Sequence, residues 1–173
     1  MNTISKRENV NSAELRLLEY SEWRIENMVK KSRKPRFRFL EHTADAKFQA
    51  FGNTIEEAFA NAAIAMVSLM WDPETIQLQK KHLAKVDGKD LQQLLVHFLE
   101  EILYILDSKK FLLGAVKIDC IAKDKKNYIL TASFRGDSYS EEYTTFGEVK
   151  AVTYNEMKIE SGDQYVVQVV VDI

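Results

Sequence analysis

The strongest constraint on this chain lies in its last third. From Phe111 onward the runs "FLLGAVKIDCIA", "YILTASFRG", "EVKAVTYNEMKIE" and "QYVVQVVVDI" are dominated by β-branched and aromatic residues, with polar turns between them. Such side chains suit a pleated, half-buried surface, so this region is expected to be sheet. Two helical patterns precede it. Thr54 and Glu57 have capping-box spacing, and Ile55, Phe59, Ala62, Met66 and Met70 follow at helical intervals until "WDP" stops the run. Asp90 and Gln93 open the second, whose apolar face holds Leu91, Leu94, Leu95, Phe98, Leu99 and Ile102. Helices and strands segregated in this way predict an α+β domain, a mostly antiparallel β-sheet with two main helices packed on it.

Shorter signals complete the outline. Two extended pieces span Phe37 to Phe51, the second alternating Ala46, Phe48 and Ala50 against Lys47, Gln49 and Phe51 before Gly52 and Asn53 punctuate. "TIQLQKKHLAKVDG" reads as a further strand that Gly88 ends. Ahead of all this, Asn11 and Glu14 form another capping pair, and Leu18, Ile25 and Val29 share a helical face. "KKSRKPR" follows, and Pro35 disfavours helix in the residue before it. The expected organisation is a basic, helical N-terminal extension over residues 1–35 and one domain over residues 36–173.

At 173 residues and 46% hydrophobic content, the chain suits a single domain with a full core. No apolar run reaches the length of a membrane span, and "MNTISKREN" is not followed by an apolar signal region, so a soluble, intracellular protein is expected. The net charge of -2 argues against a broad nucleic-acid surface. That charge is uneven: residues 1–36 hold nine Lys or Arg against five Glu, net +4, which leaves 15 basic and 21 acidic residues, net -6, in the remainder. The interleaved charges of the N-terminal arm fit a helix docked by its apolar side better than a stripe for RNA or a partner. The single cysteine, Cys120, cannot form an intrachain disulfide, and its strand-like surroundings predict a small buried thiol. The Met and aromatic stripe of the first helix reads as core packing. The sequence has no CxxC pair, phosphate-cradling glycine loop or nucleophile elbow.

Chemistry must therefore come from dispersed residues. "FLEHTADAKF" sets His42, Thr43 and Asp45 between two extended pieces. At the far end, a strand period of two puts Gln168 and Asp172 on one face of "VVQVVVDI" and Val167, Val169, Val171 and Ile173 on the other. Asp172 and the terminal carboxylate repel unless a cation or basic side chain lies between them, and a fold that brings Asp45 alongside makes a hard divalent cation a natural neutraliser. His97 shares a helix face with Glu100 and Glu101 at ligand-like spacing, though a solvated face explains it better; His82 has no ligand-type neighbour in sequence.

"FLEHTADAKFQAFGNTIEEAFANAAIAM", "DLQQLLVHFLEEILYILD", "GEVKAVTYNEMKI" and "VVQVVVDI" stand in the order found in the archease family, which the chain resembles from about Arg36 to Ile173. The resemblance implies an archease-like fold and a non-catalytic activator of the RNA-splicing (tRNA) ligase, the enzyme that joins RNA 3′-phosphate ends to 5′-hydroxyl ends with GTP and a divalent metal. It implies a cytoplasmic protein that promotes ligase guanylylation and turnover in tRNA splicing or RNA repair, meeting RNA only through the ligase and no membrane. Carried over by motif, the metal ligands are Asp45, Asp172 and Ile173, and the ion is Ca, Mg or Mn. Lys150 of "EVKA" is a functional residue beside the acids, accompanied by Glu148, and His42 supports the turn. Two other readings stay open: a metal-dependent phosphoester hydrolase and a chaperone-like binding module. The arm over residues 1–35 and the loop "FRGDSYSEEYTTFGEV" depart from the family pattern, and the "RGD" within that loop has no extracellular context.

Overall fold

Glycine ends two strands of this protein where a helix has to begin. β2 (Ala46–Gly52) runs into α1 (Ile55–Val67), and β3 (Lys80–Gly88) runs into α2 (Leu91–Lys109). A Cβ on Gly52 would lie 2.3 Å from the Ala58 nitrogen, and one on Gly88 would lie 2.4 Å from that of Leu94, so the strand end can approach the first helical turn only without a side chain. The caps also match. Thr54 Oγ1 accepts from Glu57 N at 3.2 Å while Glu57 Oε2 accepts from Asn53 N at 2.7 Å; Asp90 Oδ1 accepts from Gln93 N while Gln93 Oε1 accepts from Lys89 N, both at 2.8 Å. Each cap contributes about 1 kcal/mol. "GNTIEE" and "GKDLQQ" are thus one local device used twice.

The computed structural model describes residues 35–41 and 45–173, and residues 36–173 form one unit. The helix expected after Asn11 lies outside the described residues, as does His42. The remaining elements are β1 (Phe37–Leu40), a 3-10 turn (Pro73–Thr75), β4 (Phe111–Asp124), β5 (Asn127–Ser138), β6 (Ala151–Ser161) and β7 (Tyr165–Asp172). The α+β class is as expected, but the strands divide between two antiparallel sheets, ordered β1-β2-β7-β6 and β3-β5-β4. The reason is visible in the helices. α1 packs on β2 and β7 of one sheet and on β4 of the other; α2 packs on β3, β4 and β5 and also on β6. A helix covered on both sides must be apolar nearly all round, and α1 buries Ala58, Phe59 and every residue from Asn61 to Val67. Its one buried polar side chain is satisfied: Asn61 donates to Phe51 O at 2.7 Å and accepts from Arg36 Nε at 2.9 Å. Among the described residues no helix is long and apolar enough to cross a membrane.

Two details of β4 and β5 change what the sequence led us to expect. Cys120 is exposed, not buried. A register shift between Ile118 and Cys120 lets Ile118 face the core and turns the thiol outward opposite Thr131. The "RGD" triplet is strand: a Cβ on Gly136 would meet Leu112 O, and Asp137 Oδ2 accepts from the Tyr143 hydroxyl at 2.9 Å. From there the chain crosses to the other sheet, pinned by Phe146 N donating to Met70 O at 2.9 Å and by the backbone pairing of Trp71 with Thr145.

Candidate functional site

Strand order brings the ends of the segments that carry the two acids singled out in the sequence to the same end of one sheet. β7 lies between β2 and β6, and its partner positions run Ala46 with Val171 on one side and Ala151 with Asp172 on the other. Continuing the first register by one residue sets Asp45 beside Asp172. Asp172 belongs to the sheet face turned away from the helices, because Val167, Val169 and Val171 of β7 fill the inner face, and Asp45 is the bend residue that leads into β2. Asp172 is exposed and Asp45 is half-buried.

Lys150 lies on the opposite flank. Its backbone nitrogen donates to Asp172 O at 2.8 Å, and its Nζ donates to the main-chain oxygen of Ile173 at 2.9 Å. The ammonium thus ties the segment before β6 to the end of β7. β6 begins only at Ala151, so Lys150 and Glu148 belong to the segment that feeds it, with Val149 turned inward between them. Glu148, together with Lys150, borders an adjoining cleft of about 500 Å³ floored by Met70, Trp71 and Leu106.

One row further from the sheet end, β2 and β6 are tied across β7. Lys47 and Glu156 form an ion pair at 2.8 Å over the fully buried Val170. Beneath it runs a polar row: Arg38 donates to Gln49, Gln49 to Gln168, and Gln168 to Glu156 O, with the last two bonds at 2.9 Å. Gln168 is 5% exposed, so each of its amide groups needs a partner and has one. Glu156 sits in a β6 irregularity with φ at 50°. Lys47 was missed in the sequence. Its two-residue spacing from Asp45 was the available signal, but its partner comes from an irregularity that no periodicity predicts.

As a donor set, two carboxylates and a main-chain oxygen are all hard oxygen ligands, which suits Ca, Mg or Mn and not a thiophilic ion. The fit is one of chemistry. Among the described residues no group of three or more His, Cys, Asp or Glu side chains gathers around one point. His82 and His97 make other contacts. His97 Nδ1 lies 2.7 Å from Asp87 O, joining α2 to β3, and Glu101 turns toward His82 Nε2 at 3.6 Å.

The archease protein family (MTH1598/TM1083) matches residues 37–173. The chain belongs to the archease family. Protein archease of Methanosarcina barkeri is 38% identical to it over 139 residues, covering 79% of this chain and 95% of that one. Protein archease of Pyrobaculum neutrophilum is 39% identical over 140 residues, with 79% and 95% covered. The solution structure of Methanobacterium thermoautotrophicum protein 1598 superimposes with a TM-score of 0.69 at 31% identity, covering 80% of this chain and 99% of that one. The archease match begins at β1 and ends at Ile173, so it spans both acids, Lys150 and both sheets.

Proposed function

We propose that this archease is an accessory protein, not itself an enzyme, that activates an RNA-splicing (tRNA) ligase in the cytoplasm by promoting its guanylylation and multiple turnover. The observation that supports the reading lies at the exposed end of β7, where Asp45 precedes Ala46, the partner of Val171, and Lys150 Nζ donates to Ile173 O.

In this reading, Asp45, Asp172 and the main-chain oxygen of Ile173 hold a divalent ion. When bound, such an ion supplies the positive charge that screens nucleotide phosphates. The chain's own residues do the rest. β2 and β6 fix β7 from both sides, so Asp172, its last residue, is presented without a loop's freedom, while Asp45 directly precedes β2. In the same reading Lys150 offsets the repulsion between the two acids and offers its ammonium to a phosphate. Ile173, 48% exposed, directly follows the last residue of β7.

The test is a multiple-turnover ligation assay with the partner ligase and Asp45→Ala or Asp172→Ala, each checked for folding by circular dichroism. Stimulation is expected to be lost in both; full stimulation by both variants would remove the role of the acids.

A further inference from the structure

The outer face of the β3-β5-β4 sheet has a charge pattern that its fold does not need. Cross-strand registers place three rows on that face: Lys81, Arg135 and Ala115; Leu83, Ser133 and Lys117; Lys85, Thr131 and Cys120. The inner face is filled by Ala84, Leu130, Ala132, Phe134 and Ile118, which fixes the outward direction of these rows. Lys81, Lys85, Lys117 and Arg135 are all exposed, on a body whose net charge from residue 37 onward is -6.

Lys81 and Arg135 stand directly opposite each other. Like charges in that position destabilise a sheet, and among the described residues no acid pairs with either of them or with Lys85. Only Lys117 has an ion-pair partner, Asp119 at 3.2 Å, and its side chain is still 80% exposed. Neighbouring strands lie about 4.8 Å apart and alternate rows about 7 Å apart. These charges therefore act together within a Debye length of about 10 Å at 0.1 M salt. The small side chains of Ala115 and Ser133 leave a groove of about 350 Å³ lined by Lys81, Lys117 and Arg135 and by one acid, Asp119.

We propose that this face binds an RNA strand by its phosphate backbone. Lysines and an arginine around Ser133 and Thr131 are the groups that meet phosphate oxygens, and Leu83, 68% exposed, is the one large apolar side chain of the three rows. The three rows have no Trp, Tyr or Phe to anchor a protein partner or to stack bases, so binding is independent of sequence and steeply salt-dependent. The choice of RNA among phosphate polymers rests on the proposed function; the binding is measured without a ligase, so the two readings fail separately.

The experiment is fluorescence anisotropy of a labelled single-stranded RNA oligonucleotide with the full chain, across a salt series. The double variant Lys81→Glu/Lys117→Glu is expected to weaken binding at least tenfold at 0.1 M salt. It should also flatten the slope of log affinity against log salt by about 0.7 for each cation removed. Lys81→Gln separates binding from folding: it relieves the pair with Arg135, so thermal stability should hold or rise while affinity falls. A photocrosslinker on Cys120, the chain's single cysteine and a residue of the same face, should capture the RNA. The proposal is overturned if Lys89→Glu/Lys158→Glu, with the same charge change elsewhere, weakens binding equally. It is also overturned if neutralising Lys30, Lys31, Arg33 and Lys34 abolishes binding that the face variants leave intact. Finally, it is overturned if phosphatidylserine vesicles bind through these lysines while RNA does not.

Discussion

The two sheets turn opposite chemistry to the outside. The β1-β2-β7-β6 sheet presents Asp45 and Asp172 at one end, backed by an ion pair and a polar row in which each charge or amide has a partner. The β3-β5-β4 sheet presents cations at neighbouring positions, with Lys81 opposite Arg135. Both sheets use their inner faces identically, as walls around a helical layer, and both feed a helix through a glycine and a matched cap. The difference shows that the inner faces specify the fold while the outer faces remain available for function, with net charge concealing both of them.

Several changes would break or sharpen this comparison. The largest effect is expected where the sheets are alike. Gly52→Ala and Gly88→Ala each force a Cβ to within 2.4 Å of helix backbone, and both should destabilise the domain by about 1–3 kcal/mol in urea unfolding. A neutral result at one junction alone would end the equivalence of the two. On the acidic sheet, Lys150→Met should lower ligase stimulation about tenfold while changing stability by less than about 1 kcal/mol, because the bond it removes is exposed.

The Lys47–Glu156 pair should yield a coupling of about 0.5–1 kcal/mol in a double-mutant cycle, since Glu156 is half exposed and solvent screens it. At the same position Glu156→Gly should be more stable than Glu156→Ala by about 1 kcal/mol, because φ there is 50°. The smallest effect is at the crossing between the sheets. Burial, and then the bond donated to Asp137, raise the pKa of Tyr143 above its ordinary 10.0. The folded state therefore holds that proton more tightly, and the associated stability is full below pH 10 and falls as pH rises through the folded value. Tyr143→Phe should flatten that alkaline decline in thermal melts.

Much of this molecule is legible in its sequence because local rules and tertiary demands agree there. The capping boxes at Thr54 and Asp90 start both helices where the structure starts them. Agreement ends where the chain needs a partner to decide. Met70 has helical spacing, yet α1 stops at Val67, where Ser68 donates its hydroxyl back to Ile64 O at 2.7 Å. The strand reading from Thr75 is too long because Pro73–Thr75 form a 3-10 turn and pairing with β5 begins only at Lys80. Cys120 looked like a core residue because alternation alone cannot foresee a register shift two residues earlier.

The candidate site follows the same division. Asp172 is visible as the polar end of an apolar strand, and the family resemblance marks Asp45, but only the β2-β7 pairing brings them together. Lys150 could be named from its motif, whereas its bond to Ile173 depends on where β6 begins. The basic face escaped notice altogether. Its cations are scattered from Lys81 to Arg135, and a net charge of -2 averages them away.

The most direct measurement of the central claim is calcium, magnesium and manganese titration by isothermal calorimetry on the full chain and on Asp45→Asn/Asp172→Asn, paired with ligation turnover on the same samples. At least one ion is expected to bind the full chain, and the double variant is expected to lose both that binding and the stimulation while keeping its thermal stability and its affinity for RNA. A double variant that still stimulates turnover, or a full chain that stimulates it without binding any of the three ions, would contradict the role of the acidic end.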